Sequence, residues 1–98
     1  MSLTIPAGDG GYYIVFTVTN YDKTPFDLTG LTAKFKAWLP GQELRVNASC
    51  EIVSATAGIC RYLLQTTDFP VPGRYTGELE FTGPQSTQPF PVIITESQ

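Results

Sequence analysis

Short segments of alternating apolar and polar residues, separated by glycine and proline, most constrain the fold of this chain. Between residues 32 and 39, for example, Lys34 and Lys36 flank Phe35, which is the period of a half-buried β-strand. No long stretch shows the i, i+3, i+4, i+7 spacing of a helix. The pattern predicts seven strands, over residues 3–5, 12–19, 32–39, 48–53, 59–64, 74–81 and 90–95.

Seven short strands in a chain of 98 residues predict one all-β domain over residues 1–98. An immunoglobulin-like sandwich of about seven antiparallel strands is the expected architecture, and an open Greek-key barrel is the alternative. Tyr75 enters the sixth strand, where such sandwiches place a tyrosine whose hydroxyl bonds back to the preceding turn; the alternative is a plain core aromatic. Pro89 and Pro91 cannot donate to a ladder, which predicts an edge or a bulge for the last strand.

Composition argues against most chemistry. The chain has no histidine, so Ser–His and Cys–His nucleophiles, an imidazole base and histidine metal sites are excluded. Six basic against nine acidic residues give a net charge of −3, which argues against nucleic-acid binding. No apolar run is long enough to span a membrane, and no signal peptide is visible. We therefore expect no enzyme activity, no cofactor and no metal.

Two cysteines lie on a predicted hairpin formed by the segments 48–53 and 59–64. Cys50 and Cys60 both alternate with core residues, so they are expected nearly opposite one another. We predict two buried free thiols, which suits a reducing cytoplasm, with an adjacent-strand disulfide as the alternative. In the turn before Gly30, Asp27 is expected to act as a capping residue.

Alternate charges on two strands predict an exposed ion-pair ladder. In a sandwich the third and sixth strands are antiparallel neighbours, and one register pairs Lys36 with Glu78 and Lys34 with Glu80. Each such pair contributes only ~0.2–1 kcal/mol. The two carboxylates, about 7 Å apart on one face, also resemble an inverting glycosidase pair in spacing, but the ladder is the preferred interpretation.

A candidate interface follows from the same register. Trp38 ends the ladder opposite Thr76, with Arg74 diagonally across, and tryptophan, tyrosine and arginine are enriched at binding hot spots. We expect Trp38, Arg74 and Tyr13 to form one surface, and Ile93 to face outward from the last strand as a second. The alternatives for the indole are packing under the following turn, or a sugar-stacking platform.

Three segments carry a resemblance to a known family. Residues 24–35 hold a turn, Asp-Leu-Thr-Gly and a strand; residues 56–62 hold a glycine followed by an alternating strand; residues 68–80 hold Gly-x-Tyr and a long alternating strand. Together they resemble the immunoglobulin-like domain of phage baseplate upper proteins and related tail-fibre proteins, over roughly residues 10–95.

That resemblance implies a structural virion component, assembled in the bacterial cytoplasm, that docks to other tail or baseplate proteins. It implies no catalytic residues, and it makes a homo-oligomer, a trimer or larger, plausible. In the family a fibre or receptor-binding region usually follows this domain, so we expect either an excised domain or a small stand-alone relative. The alternative function is a secreted carbohydrate-binding or adhesion module, which would have an oxidised Cys50–Cys60 pair and a planar aromatic strip.

Overall fold

The computed structural model describes residues 2–20, 22–82, 87 and 89–96. Its strands are β1 (Leu3–Pro6), β2 (Tyr13–Thr17), β3 (Ala33–Trp38), β4 (Leu44–Ser54), β5 (Ile59–Leu63), β6 (Gly73–Phe81) and β7 (Phe90–Thr95). They form a sheet in the order β1-β7-β6-β3-β4-β5-β2, with β1 and β7 parallel and the other pairs antiparallel. The all-β prediction is confirmed, and the largest difference in bounds is the earlier start of β4.

The strands do not divide into the two sheets of an immunoglobulin-like sandwich. They form one continuous seven-stranded mixed sheet that curls into a half-barrel. The curl passes through β4, which pairs with β3 from Leu44 to Cys50 and with β5 from Glu51 onward. Register shifts in both pairings add local twist. Alternation along a strand shows which face is buried, but it does not show that one long strand changes partners halfway.

The concave side of the sheet holds an aromatic core. The ring of Phe35 on β3 lies 5.4 Å from Phe16 on β2 and 5.4 Å from Tyr62 on β5, and 6.5 Å from Phe90 on β7. The rings of Phe16 and Phe90 are themselves 6.2 Å apart, although four strands separate β2 from β7 in the sheet. The contact is possible only because the sheet curls. Alternate residues along β2, β3 and β6, together with Val18, are buried on this side, as the sequence pattern indicates: Ile14, Phe16, Val18, Ala33, Phe35, Ala37, Tyr75, Leu79 and Phe81.

The last strand is not an edge strand. β1 covers it, pairing in parallel from Leu3 opposite Val92 onward, so the expected edge position of β7 is wrong. Pro91 lies one residue before the first of these pairs and faces Thr76 on β6. The missing N–H therefore falls at the end of the β1–β7 pairing, where proline is tolerated.

Gly77 on β6 makes room for the ring of Phe90. A Cβ at Gly77 would lie 2.7 Å from Phe90 Cε2 and 2.8 Å from Val92 Cγ2. Both neighbouring side chains are buried, so neither can move aside easily. Gly73, on the same strand, is different, because a Cβ there would make ordinary contacts of 3.7 Å and 3.8 Å.

We expect Gly77→Ala to lower the free energy of unfolding by about 1–3 kcal/mol, because the added methyl overpacks the core. Gly73→Ala is the matched control and should change the stability by less than about 1 kcal/mol. Urea unfolding of the three chains, followed by tryptophan fluorescence, measures both effects. An equal loss of stability in the two variants would show that a Cβ at Gly77 does not overpack the core.

Candidate docking surface

The convex face of the sheet carries the predicted charge ladder. Lys34 lies opposite Glu80 and Lys36 opposite Glu78, so the predicted register is confirmed. The ion pair, however, is diagonal: the Lys36 ammonium donates to Glu80 Oε2 at 2.6 Å. A lysine side chain is long enough to reach the diagonal neighbour on the adjacent strand. The hydrogen bond from Lys36 lowers the pKa of Glu80.

Next to the ladder the structure brings together three of the four predicted interface residues. Half-buried Trp38 lies opposite Thr76 on β6 and Leu44 on β4. Arg74, two residues before Thr76, is exposed and lies opposite half-buried Ile93 on β7. We call Leu44, Trp38, Arg74 and Ile93 the end patch. It spans four adjacent strands, and 46% of Leu44 is exposed.

Tyr13 lies apart from the end patch. It belongs to β2, and both β4 and β5 lie between that strand and β3, so the structure does not bring Tyr13 together with Trp38 and Arg74. The guanidinium of Arg61 on β5 covers its ring instead, with Cζ 3.8 Å from the ring centroid. Arg61 Nε also donates to Glu51 Oε2 at 2.8 Å. Alternation places Tyr13 on the outer face correctly, but strand order decides its neighbours.

The connection between β5 and β6 borders the end patch and is held in place by hydrogen bonds. The Tyr75 hydroxyl donates to the Val71 carbonyl at 3.2 Å, which confirms the predicted tyrosine. Phe69 packs edge-on against the Tyr75 ring at 5.1 Å. Arg45 donates two hydrogen bonds of 3.0 Å, from Nε to the Asp68 carbonyl and from Nη2 to the Thr67 carbonyl.

The role of Arg45 was not visible in the sequence, because it depends on β4 starting earlier than alternation indicates. A shallow cleft lies beside this connection, between the end patch and the Tyr75 ring. Its lining residues are Leu39, Gln42, Glu43, Leu44, Arg45 and Tyr75.

The two cysteines are free, and they lie diagonally across the β4–β5 pair. Cys60 is opposite Ile52, while Cys50 lies two residues earlier on β4 and opposite Ala33 on β3. The two cysteines are therefore diagonal neighbours rather than directly opposite. Cys60 is buried but Cys50 is only half-buried, so the prediction of two buried thiols is correct for Cys60 alone. The neighbouring Cys60 sulfur and burial raise the pKa of the Cys50 thiol well above its usual range. A thiol that stays protonated is a poor nucleophile.

Asp27 has the predicted capping role. Its Oδ1 accepts from the backbone N–H of Thr29 at 2.9 Å and from the Thr29 hydroxyl at 2.6 Å. These bonds hold the turn around buried Leu28, which precedes the start of β3.

Within the described residues, no three histidine, cysteine, aspartate or glutamate side chains cluster in a way that could hold a metal ion. That part of the chain also contains no helix that is long and apolar enough to cross a membrane. The convex face carries an aromatic and a cationic side chain in the end patch, Trp38 and Arg74. Such a patch is typical of a protein-binding structural domain.

Comparison with known families defines this class further. The sequence model of the BppU N-terminal domain matches residues 3–98, so the chain belongs to that family. BppU is the baseplate upper protein, and the family is a structural, non-catalytic baseplate family. The resemblance deduced from the three segments is confirmed, and the match is longer than that resemblance indicated. Among curated proteins, no sequence matches this chain.

Four carboxyls have a pKa below the ordinary value, because side chains donate hydrogen bonds to them. They are Asp22 (from Thr24), Asp27 (from Thr29), Glu51 (from Arg61) and Glu80 (from Lys36). A carboxyl of this kind stabilises the folded state above its unfolded pKa, and that contribution is lost as the pH falls through the folded value. We therefore expect the free energy of unfolding to decrease as the pH falls below about 4.

Glu80→Gln tests the ion pair of the ladder, which joins Glu80 to Lys36. It should destabilise the chain at neutral pH and differ less from the original chain near pH 2, where Glu80 itself is protonated. Glu43→Gln is the control, since Glu43 is exposed and forms no ion pair with a described residue. Urea unfolding at both pH values measures the difference, and a Glu80→Gln effect that does not change with pH would contradict the ion pair.

Proposed function

We propose that this chain acts as one docking domain of the phage baseplate, and that it binds other baseplate proteins through the end patch. The family implies a structural role in the tail and an association with other baseplate proteins. The observation that carries the proposal is the placement of Trp38, Arg74 and Ile93 side by side on β3, β6 and β7.

Backbone pairing on both sides of Trp38 favours this surface as a binding site. Trp38 lies opposite Thr76 on β6 in regular pairing, and opposite Leu44 on β4 just past a register shift. A large side chain that is already positioned loses little conformational entropy when a partner covers it. The exposed apolar surface of Leu44 extends the contact area that the indole offers.

Charge specifies what the partner must present. The two ion pairs among the described residues join Lys36 to Glu80 and Arg61 to Glu51, which leaves the exposed Arg74 guanidinium available. Guanidinium groups bind carboxylates through paired hydrogen bonds. We infer a partner surface with an apolar pocket for the indole and an acidic side chain beside it.

Arg74→Glu should weaken binding to the partner baseplate protein by about tenfold or more, because it places like charges together and removes a hot-spot residue. Lys23→Glu is the matched control, since it makes the same change in charge on an exposed loop away from the patch. Binding of each variant to the purified baseplate proteins of the same phage can be measured by biolayer interferometry. Equal binding by the two variants, or no binding by the unaltered chain, would overturn the proposal.

A homo-oligomer, a trimer or larger, remains a prediction from the family resemblance. Light scattering after size exclusion gives the mass of the chain in solution over a range of concentrations. A stable trimer would support this prediction and would exclude a closed dimer of the chain.

A further inference from the structure

The strand β2 ends the sheet and leaves one side of its backbone unpaired among the described residues. At one end of β2, Leu64 N–H donates to the Tyr12 carbonyl; at the other, Val18 N–H donates to the Gly58 carbonyl. Backbone groups point to alternate sides along a strand, so even-numbered residues face β5. The N–H and C=O groups of Tyr13, Val15 and Thr17 therefore point away from the sheet.

This edge lacks the usual protections against pairing. Exposed edges are commonly blocked by charged residues, proline or a bulge. Residues 13–17 include neither a charge nor a proline, and their pairing with β5 has no register shift. Two of their three outward side chains are large and accessible: 59% of Val15 and 44% of Tyr13 are exposed, beside Leu63 at 41%.

We propose that two copies of this chain associate by antiparallel pairing of their β2 edges, with a two-fold axis at Val15. In that register Val15 faces Val15 of the second copy, and Tyr13 faces Thr17 in both directions. Each of these pairs exchanges two hydrogen bonds, so all six outward backbone groups of each β2 find a partner. A shift by two residues would leave groups unpaired, and a shift by one would misalign them.

Side chains and charges also favour a second copy of β2. Pairs of β-branched residues, and of an aromatic with threonine, are favourable across antiparallel strands. The nearest charged residues are Arg61, directly opposite Val15 on β5, and Glu51 beyond it on β4, and they already pair with each other. The Arg61 guanidinium lies over the Tyr13 ring, and in this register Tyr13 and its symmetry mate are offset by four residues along the strands, so the two guanidinium groups stay roughly 14 Å apart.

The other edge of the sheet is a weaker match. β1 has only four residues and ends at Pro6, which cannot donate a hydrogen bond. Pairing of β2 with β1 of a second copy would therefore leave part of the β2 edge unsatisfied. It would also make an open or ring-shaped assembly, whereas pairing of two β2 edges closes at a dimer.

The mass of the 98-residue chain as a function of concentration tests this proposal, by sedimentation equilibrium up to about 1 mM. We expect a monomer–dimer equilibrium. Val15→Lys should weaken dimerisation by about tenfold or more, because two lysines would face each other at the axis. Val53→Lys is the matched control, since Val53 is 52% exposed on β4, away from the edge. It adds the same charge and should dimerise like the original chain.

A cross-link tests the register independently of affinity. With oxidised glutathione as the oxidant, Val15→Cys should form a disulfide between copies, because directly opposed residues lie within disulfide reach. Thr17→Cys should not, because it faces Tyr13. A chain that stays monomeric, a trimer or larger assembly, or equal behaviour of Val15→Lys and Val53→Lys would overturn the proposal. None of these outcomes depends on the end patch, so the docking proposal stands or falls separately.

Discussion

The aromatic cluster around Phe35 is the interaction on which the rest of the structure depends. Its neighbours Phe16, Tyr62 and Phe90 come from strands that lie far apart in the sheet, and they meet only if the sheet curls. Aromatic side chains bury large apolar areas and prefer tilted contacts at these distances. Gly77 completes the arrangement, since the absence of a Cβ there allows the Phe90 ring to approach β6.

Because the sheet curls around this core, its outer surface has separate regions. The end patch of Leu44, Trp38, Arg74 and Ile93 lies on one side of the charge ladder, where β4, β3, β6 and β7 run side by side. The unpaired β2 edge lies beyond β4 and β5. The two proposed surfaces, the end patch for another baseplate protein and the β2 edge for a second copy of the chain, share no residues.

Much of the fold and part of the candidate site were predictable from local patterns. Alternation showed that Lys36 and Glu78 both face outward, and the assumed strand neighbours of a sandwich gave their register. The Tyr75 hydroxyl bond followed from the place of this residue at a strand entrance. The positions of Tyr13 and of β7 were not predictable, because both depend on which strands become neighbours. The start of β4 at Leu44 was hidden too, since residues 44–47 are mostly exposed and show weak alternation.

The sequence by itself determined the strands, their buried faces and the family, because hydrophobic alternation, turn residues and motif order are properties of neighbouring residues. Only the tertiary structure decided that the strands form one curled sheet, that β1 covers β7, and that β2 ends the sheet with an unpaired edge. The physical reason is that strand pairing joins residues distant in the chain. Backbone hydrogen bonds are the same for every sequence, so the choice of partner depends on how the whole core packs.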